Sequence, residues 1–199
     1  MDTTFREALM MRRSYYELSD SGVPDDCRIV EILDFAVRYV PSAFDSRSTR
    51  IVLLLRDAHS RLWNIVKDVL RERVPPHAFG KTERKIDRSF AAGYGTVLFF
   101  EDETVVADMC RKFPTYAENF PKWSEQTSAM HQLAVWTMLE EAGMGASLQH
   151  YNPLIDRRVR QQWQLPESWR LIAQMPFGKA LDTPAEKISE PVGILTFDE

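Results

Sequence analysis

Apolar residues recur at helical spacing from the start of the chain. Between Thr3 and about Arg13, Phe5, Ala8, Leu9 and Arg12 fall on one face, which predicts an amphipathic helix running directly into Ser14-Tyr15-Tyr16. A second stripe, Ile29, Leu33, Ala36 and Val40, predicts a helix capped by Asp25 or Asp26 and stopped at Pro41. Pro41 to Thr49 reads as a loop. The pattern then changes: the aliphatic run Arg50 to Leu55 predicts a buried strand, and Asp57 can cap a helix carrying Leu62, Ile65, Val66, Val69 and Leu70, which Pro75-Pro76 ends.

After a charged stretch from Lys81 to Arg88, Thr96 to Phe100 predicts a second buried strand, and the acidic Glu101-Asp102-Glu103 can open another helix. The longest periodic element spans about Ser124 to Ala142. Met130, Leu133, Ala134, Met138 and Ala142 share one face and Val135, Trp136 and Leu139 much of another, so this helix is expected to be buried nearly all round. Gly143 and Gly145 terminate it. Ser147 to Tyr151 reads as extended, Asp156 as the cap of a short helix, Leu171 to Met175 as a third strand and Val192 to Phe197 as a fourth.

Helices between strands fit a doubly wound sheet, but no Gly-x-Gly-x-x-Gly follows a strand, so an α+β layer architecture competes on at least equal terms. No repeat or Gly/Ser linker divides the chain, and residues 1–199 read as a single domain. With 25 basic against 29 acidic residues and no basic cluster of nucleic-acid-binding size, no nucleic-acid partner is expected. No stretch approaches the roughly 18 apolar residues of a membrane span, and no leader-like start is visible; a cytoplasmic protein with no membrane partner is expected. Cys27 and Cys110 form no CxxC pair or disulfide framework.

The histidines at 59, 77, 131 and 150 are too far apart for a local ligand pair, so no metal is expected, and neither a Gly-x-Ser-x-Gly elbow nor a Walker loop is present. An enzyme whose cofactor carries the reaction needs mainly phosphate-binding cations, donors around a reactive ring and a shaped pocket. Three segments could supply them. Arg12-Arg13-Ser14 offers guanidinium and hydroxyl donors for a phosphate, against the plainer reading that two cations complement a helix C-terminus. The Pro41-Ser42-Ala43-Phe44-Asp45-Ser46-Arg47-Ser48 loop is dense in hydrogen-bonding groups, and Met175-Pro176-Phe177-Gly178-Lys179 with Lys187 presents cations on what reads as irregular backbone.

Together these segments resemble the nitroreductase family, in order and in spacing. Arg12-Arg13-Ser14-Tyr15-Tyr16, Pro41-Ser42-Ala43-Phe44, His59-x-x-Leu62-Trp63, Gly93 to Asp102, Gln149-His150-Tyr151-Asn152-Pro153 and Met175 to Lys179 are similar to its short branch of yeast fatty-acid-repression-type proteins. The resemblance implies an α+β fold with a central, mostly antiparallel sheet flanked by helices, in an entwined homodimer with FMN in two interfacial clefts. It places Arg12 and Lys187 on the phosphate, with Lys179 as an alternative. It places Arg13, Ser14 and Tyr16 along the flavin, and brings Pro41, Ser42, Ala43, Phe44 and Asp45 from the partner. Gln149, His150 and Tyr151 become pocket-wall candidates for which ordinary packing is the competing reading. Asp45 stands where the family usually has Asn, and Arg47 where it has Gln. The implied reaction passes electrons from NADPH or NADH through the flavin to a small acceptor such as a nitroaromatic or quinone, with no catalytic acid or base from the protein. A redox-sensing FMN binder with little turnover, and a flavin-free interaction domain, are the competing functions.

Overall fold

A computed structural model describes residues 4–187 and 193–197. Its sheet has the order β1 (Leu18–Ser19), β5 (Trp169–Ala180), β3 (Gly95–Asp102) and β2 (Thr49–Leu55), with β4 (Gly145–Ala146) also on β5; every strand pair is antiparallel. The architecture is thus α+β and not doubly wound. Successive residues of a strand face opposite sides, and β3 is covered on both, so its side chains from Gly95 to Glu101 are all buried.

On one side Val97 and Phe99 join Ala173, Met175 and Phe177 beneath α2 (Asp26–Tyr39) and α6 (Phe120–Glu141), which contribute Ile29, Leu33, Ala36, Val135 and Leu139. On the other, Leu98 and Phe100 pack with Leu54 and Leu171 under α3 (Arg56–Arg71), α4 (Pro76–Ile86) and α7 (Asp156–Trp163), through Leu62, Trp63, Val66, Ile86 and Val159. Burying one such aliphatic or aromatic side chain stabilises by about 1.5–3 kcal/mol, so these two layers hold the sheet from both faces.

Several elements differ from the sequence reading. α1 (Phe5–Met11) is capped by Thr4 and closes before Arg12, whose extended ψ of 120° takes both arginines off the helix. Thr3 lies outside the described residues. Pro75-Pro76 does more than end α3: Pro76 starts α4, since proline's missing N–H costs nothing in a first helical turn. Leu55 occupies the N-cap of α3, leaving Asp57 in its first turn, and Asp156 likewise follows the N-cap Ile155.

Glu101 remains in β3, and the helix-opening acid is Asp102, whose carboxylate accepts from Thr104 N ahead of α5 (Glu103–Lys112). α6 begins at Phe120 and is not buried all round: Met130 and Leu133 are 42% and 44% exposed. β5 continues through Pro176 to Ala180, so Lys179 sits on a strand, opposite Ser19. Residues 193–197 form no strand, and Val192 lies outside the described residues. Among the described residues no helix is long and apolar enough to cross a membrane.

Candidate functional site

Beyond α1 the chain turns along the end of α6. Ser14 bridges to Ala146, Tyr15 N donates to Ala146 O at 3.0 Å, and Tyr15 OH donates to Glu140 Oε1 at 3.3 Å. Only glycine fits beneath this segment at position 145, where a Cβ would lie 2.9 Å from the Tyr15 ring. The Arg12 guanidinium lies over the Trp136 ring, 4.3 Å from its centroid, and its buried Nε has no hydrogen-bond partner among the described residues. Burial pushes the Glu140 carboxyl above its usual range, while Tyr15, the Arg13 amide and Arg12 partly offset that. Stacking therefore fixes Arg12 in direction while its guanidinium donors bond to no group among the described residues, a state suited to an anion such as phosphate.

Tyr16 opens onto a second group. It lines a cleft of about 260 Å³ with Lys81, Arg84, Lys85 and Arg88. These four recur at helical i, i+3, i+4 and i+7 spacing from α4 into the following turn, so they share one side. None of them is in an ion pair among the described residues, whereas neighbouring Arg71 pairs with Glu83 and Lys67 with Asp87. The chain beyond β5 runs past the same place, with Leu181 N donating to Glu17 O and Tyr16 N to Asp182 Oδ2. The α4 cations meet this segment at Tyr16, whereas Arg12 rests on Trp136 and the exposed Lys179 sits opposite Ser19. Lys187 is exposed further along. The sequence reading missed the α4 cations as site residues; the i, i+3, i+4, i+7 spacing within its charged stretch was the available signal.

The Pro41 to Arg47 loop holds a short 3-10 turn, Ala43–Asp45, with Phe44, Asp45 and Arg47 all at φ of 50–55°. Left-handed backbone is disfavoured for such residues, so local bonds must hold it. Ser42 Oγ accepts from Arg47 N at 3.0 Å, and Arg47 Nε donates to Asp45 Oδ1 at 2.8 Å, holding the Asp45 carboxyl below its usual range. Phe44 packs on Phe113, Phe120 and Trp123, with ring centroids 4.8, 5.4 and 5.9 Å away. Ser42 and Arg47 line a cleft of about 250 Å³ that also takes in His131 of α6, which the sequence reading did not single out.

These two halves stand apart in one chain. Arg12 rests on Trp136 and Phe44 on Trp123, about 20 Å distant along α6 at ~1.5 Å per residue. The exposed Met130 and Leu133 lie between them.

Of the remaining candidates, Gln149 is a backbone partner of Gln174, with N–H···O distances of 2.7 and 2.9 Å, and its side chain donates to Ser147 Oγ. His150 is exposed. Tyr151 is a packing residue: it meets Trp63 and Phe90 edge to face, and burial pushes its phenol up to about 12, so it stays neutral. The buried Gln174 side chain, another residue the sequence reading passed over, fastens this segment by accepting from Tyr151 N and donating to Asn152 Oδ1. Among the described residues no group of three or more His, Cys, Asp or Glu could hold a metal ion.

The family model described as the nitroreductase family matches residues 9–179. The nitroreductase FRM2 of Saccharomyces cerevisiae is 32% identical over 188 residues, covering 92% of this chain and 91% of that one. Among solved structures, the nitroreductase CinD from Lactococcus lactis in complex with nicotinic acid superposes with a TM-score of 0.86 at 43% identity, covering 94% of this chain and 95% of that one. CinD in complex with 4-nitrophenol gives 0.85 at 42% identity with the same coverage.

Proposed function

The chain belongs to the nitroreductase family, and on that premise we propose that it is an FMN-dependent oxidoreductase passing electrons from NADPH or NADH to a small, electron-poor acceptor such as a nitroaromatic or quinone. The observation that carries this reading is the cleft at Tyr16, two residues beyond Ser14, lined by four cations without ion-pair partners among the described residues. A phosphate-bearing ring that gains negative charge on reduction needs that surplus.

FMN, when bound, supplies the redox chemistry. Arg12 binds its phosphate through guanidinium donors, with Lys187 or Lys179 adding charge, and Arg13 and Ser14 donate along the chain of the cofactor. Tyr16 and the α4 cations would stabilise negative charge on the bound group. The partner's Pro41 to Asp45 segment closes the cleft, and the flanking aromatic surface of Phe44 excludes water from one side.

A homodimer follows from the same reading. Two chains packed through the exposed Met130 and Leu133 side of α6, related by a two-fold axis, would bring the Arg12 turn of one beside the Phe44 loop of the other. CinD, 42% identical to this chain, is known in complex with 4-nitrophenol, which supports a nitroaromatic acceptor here.

The test is an absorbance scan from about 300 to 550 nm, the range of flavin absorption, of protein incubated with FMN and desalted, repeated after anaerobic addition of NADPH or NADH. Retained flavin that bleaches, and recovers its colour on adding 4-nitrophenol or a quinone, is the expected result. Retention without bleaching would replace the reductase by an FMN-binding sensor, and absence of flavin would remove the reading altogether.

A further inference from the structure

Glu101 is fully buried near the end of β3, an otherwise largely apolar strand. A charge in such a place is costly unless it is paired, yet among the described residues no cation bonds to it: Arg50 is engaged with Asp102, and Arg170 with Glu103 and Glu125. What the carboxylate does hold is Ser48 and Thr49, whose hydroxyls donate to Oε2 and Oε1 at 2.5 and 2.6 Å. Burial pushes the Glu101 carboxyl above its usual range, and these two hydroxyls, with the charges of Arg170 and Arg50 nearby, pull it partly back.

Ser48 and Thr49 directly follow the loop in which Phe44, Asp45 and Arg47 adopt left-handed backbone. Ser48 is itself fully buried, and its carbonyl accepts from Asp102 N at 2.9 Å, so side chain and backbone both tie this point to the sheet. The rest of the loop is held differently, by Ser42 Oγ accepting from Arg47 N and by the packing of Phe44 on Phe113, Phe120 and Trp123. A well-packed apolar residue could fill position 101 without a desolvation cost. The carboxylate's distinct contribution is two charge-assisted bonds at the base of a strained loop.

We propose that Glu101 is a positioning residue: its carboxylate clamps Ser48 and Thr49 and so holds the Phe44 to Arg47 loop in the conformation presented to the partner's flavin. The clamp is read from this chain alone, while its consequence for flavin rests on the function proposed above.

The test uses the FMN-incubated full chain, its Glu101→Gln variant and, because the buried change could prevent folding, Ser48→Ala. Trypsin cleaves after arginine, and the bond after Arg47 lies at the clamp while the bond after Arg73 lies in the α3 to α4 connection as a control. Both variants are expected to be cut after Arg47 about tenfold faster, the factor that corresponds to about 1.4 kcal/mol, with the rate after Arg73 unchanged. They should also release FMN faster at unchanged kcat for the FMN-saturated protein. Cleavage after Arg47 unchanged, or accelerated in equal proportion after Arg73, would overturn the clamp. Selective cleavage with FMN release unaltered would overturn the positioning role. Failure of the wild type to hold FMN would instead remove the function proposed above, leaving the two tryptic rates to decide the clamp.

Discussion

Arg47 Nε donates to Asp45 Oδ1 at 2.8 Å, so these two opposite charges neutralise each other within one loop. The charge on Asp45 alone would disfavour an anionic reduced flavin; paired, it presents a dipole instead.

Removing either partner uncovers the other. Arg47→Gln should lower the flavin midpoint potential and Asp45→Asn should raise it, each by on the order of 10 mV, the size expected for one charge several ångströms away in a high-dielectric setting. Redox titration of the wild type and both variants checks this. Identical potentials would mean that the loop does not reach the flavin.

Arg12 is expected to dominate phosphate binding because its stacking on Trp136 orients it beforehand. Arg12→Ala should weaken FMN binding by about 10- to 100-fold, the range given by losing a charge-assisted hydrogen bond of about 1.5–3 kcal/mol. Arg12→Lys should fall between, keeping charge but losing the planar fork. Titration of flavin fluorescence quenching reads both.

Gly145 permits the close passage of Tyr15. Gly145→Val should push the Arg12 to Tyr16 segment away from β4 and reduce FMN affinity about tenfold, since overpacking of this kind costs about 1–3 kcal/mol. Near-ultraviolet circular dichroism should show the sheet core retained, and unchanged FMN affinity would contradict the role given to this segment.

His59 carries the pH prediction. Its Nε2–H donates to Ala91 O, its Nδ1 accepts from Thr96 Oγ1, and Trp63 Nε1 donates to the same hydroxyl oxygen, so both ring nitrogens are occupied in the neutral form. Burial holds its pKa below the ordinary 6.5, and that of the buried His131 likewise. The unfolded chain therefore takes up protons that the folded one resists: these residues' stability is present above pH 6.5 and lost as pH falls below it. Glu101 runs the other way, its raised carboxyl losing stability as pH rises from 4.5 through its folded value. Denaturant unfolding between pH 7.5 and 5.5 should show a shallower acid-side loss in His59→Gln than in the wild type, by up to ~1.4 kcal/mol per pH unit.

Most of the fold was legible where a segment's burial followed a single period. The stripe from Ile29 to Val40, the run from Thr96 to Phe100 and the long helix through Val135 and Leu139 appear where spacing placed them. α4 was hidden because only Phe79 and Ile86 are buried on it and charged residues fill the remainder. Lys179 looked irregular because Pro176 and Gly178 discourage a strand, yet Pro176 is paired with Thr96 and its carbonyl accepts from Ser147 N. The residue types from Arg12 to Ser14 suggest a phosphate contact, while the turn itself reads as the end of a helix. Its link to Trp136 and Glu140 was not legible, because a contact across more than a hundred positions leaves no periodic trace. The clamp at Glu101 was masked by its acidic neighbours, which suggested a helix start.

One flavin site is proposed to draw on the Arg12 turn of one chain and the Phe44 loop of another, and a mixed dimer distinguishes this from sites within single chains. Arg12→Glu and Phe44→Glu chains, differently tagged and each expected to lose FMN alone, would be co-expressed, and the dimer carrying both tags isolated and its flavin absorbance measured. If the sites are shared, one site of the mixed dimer holds both lesions and the other holds none, so about half the wild-type flavin should return and bleach with NADPH or NADH. If each site lies within one chain, every site keeps a lesion, and a colourless mixed dimer would contradict the account.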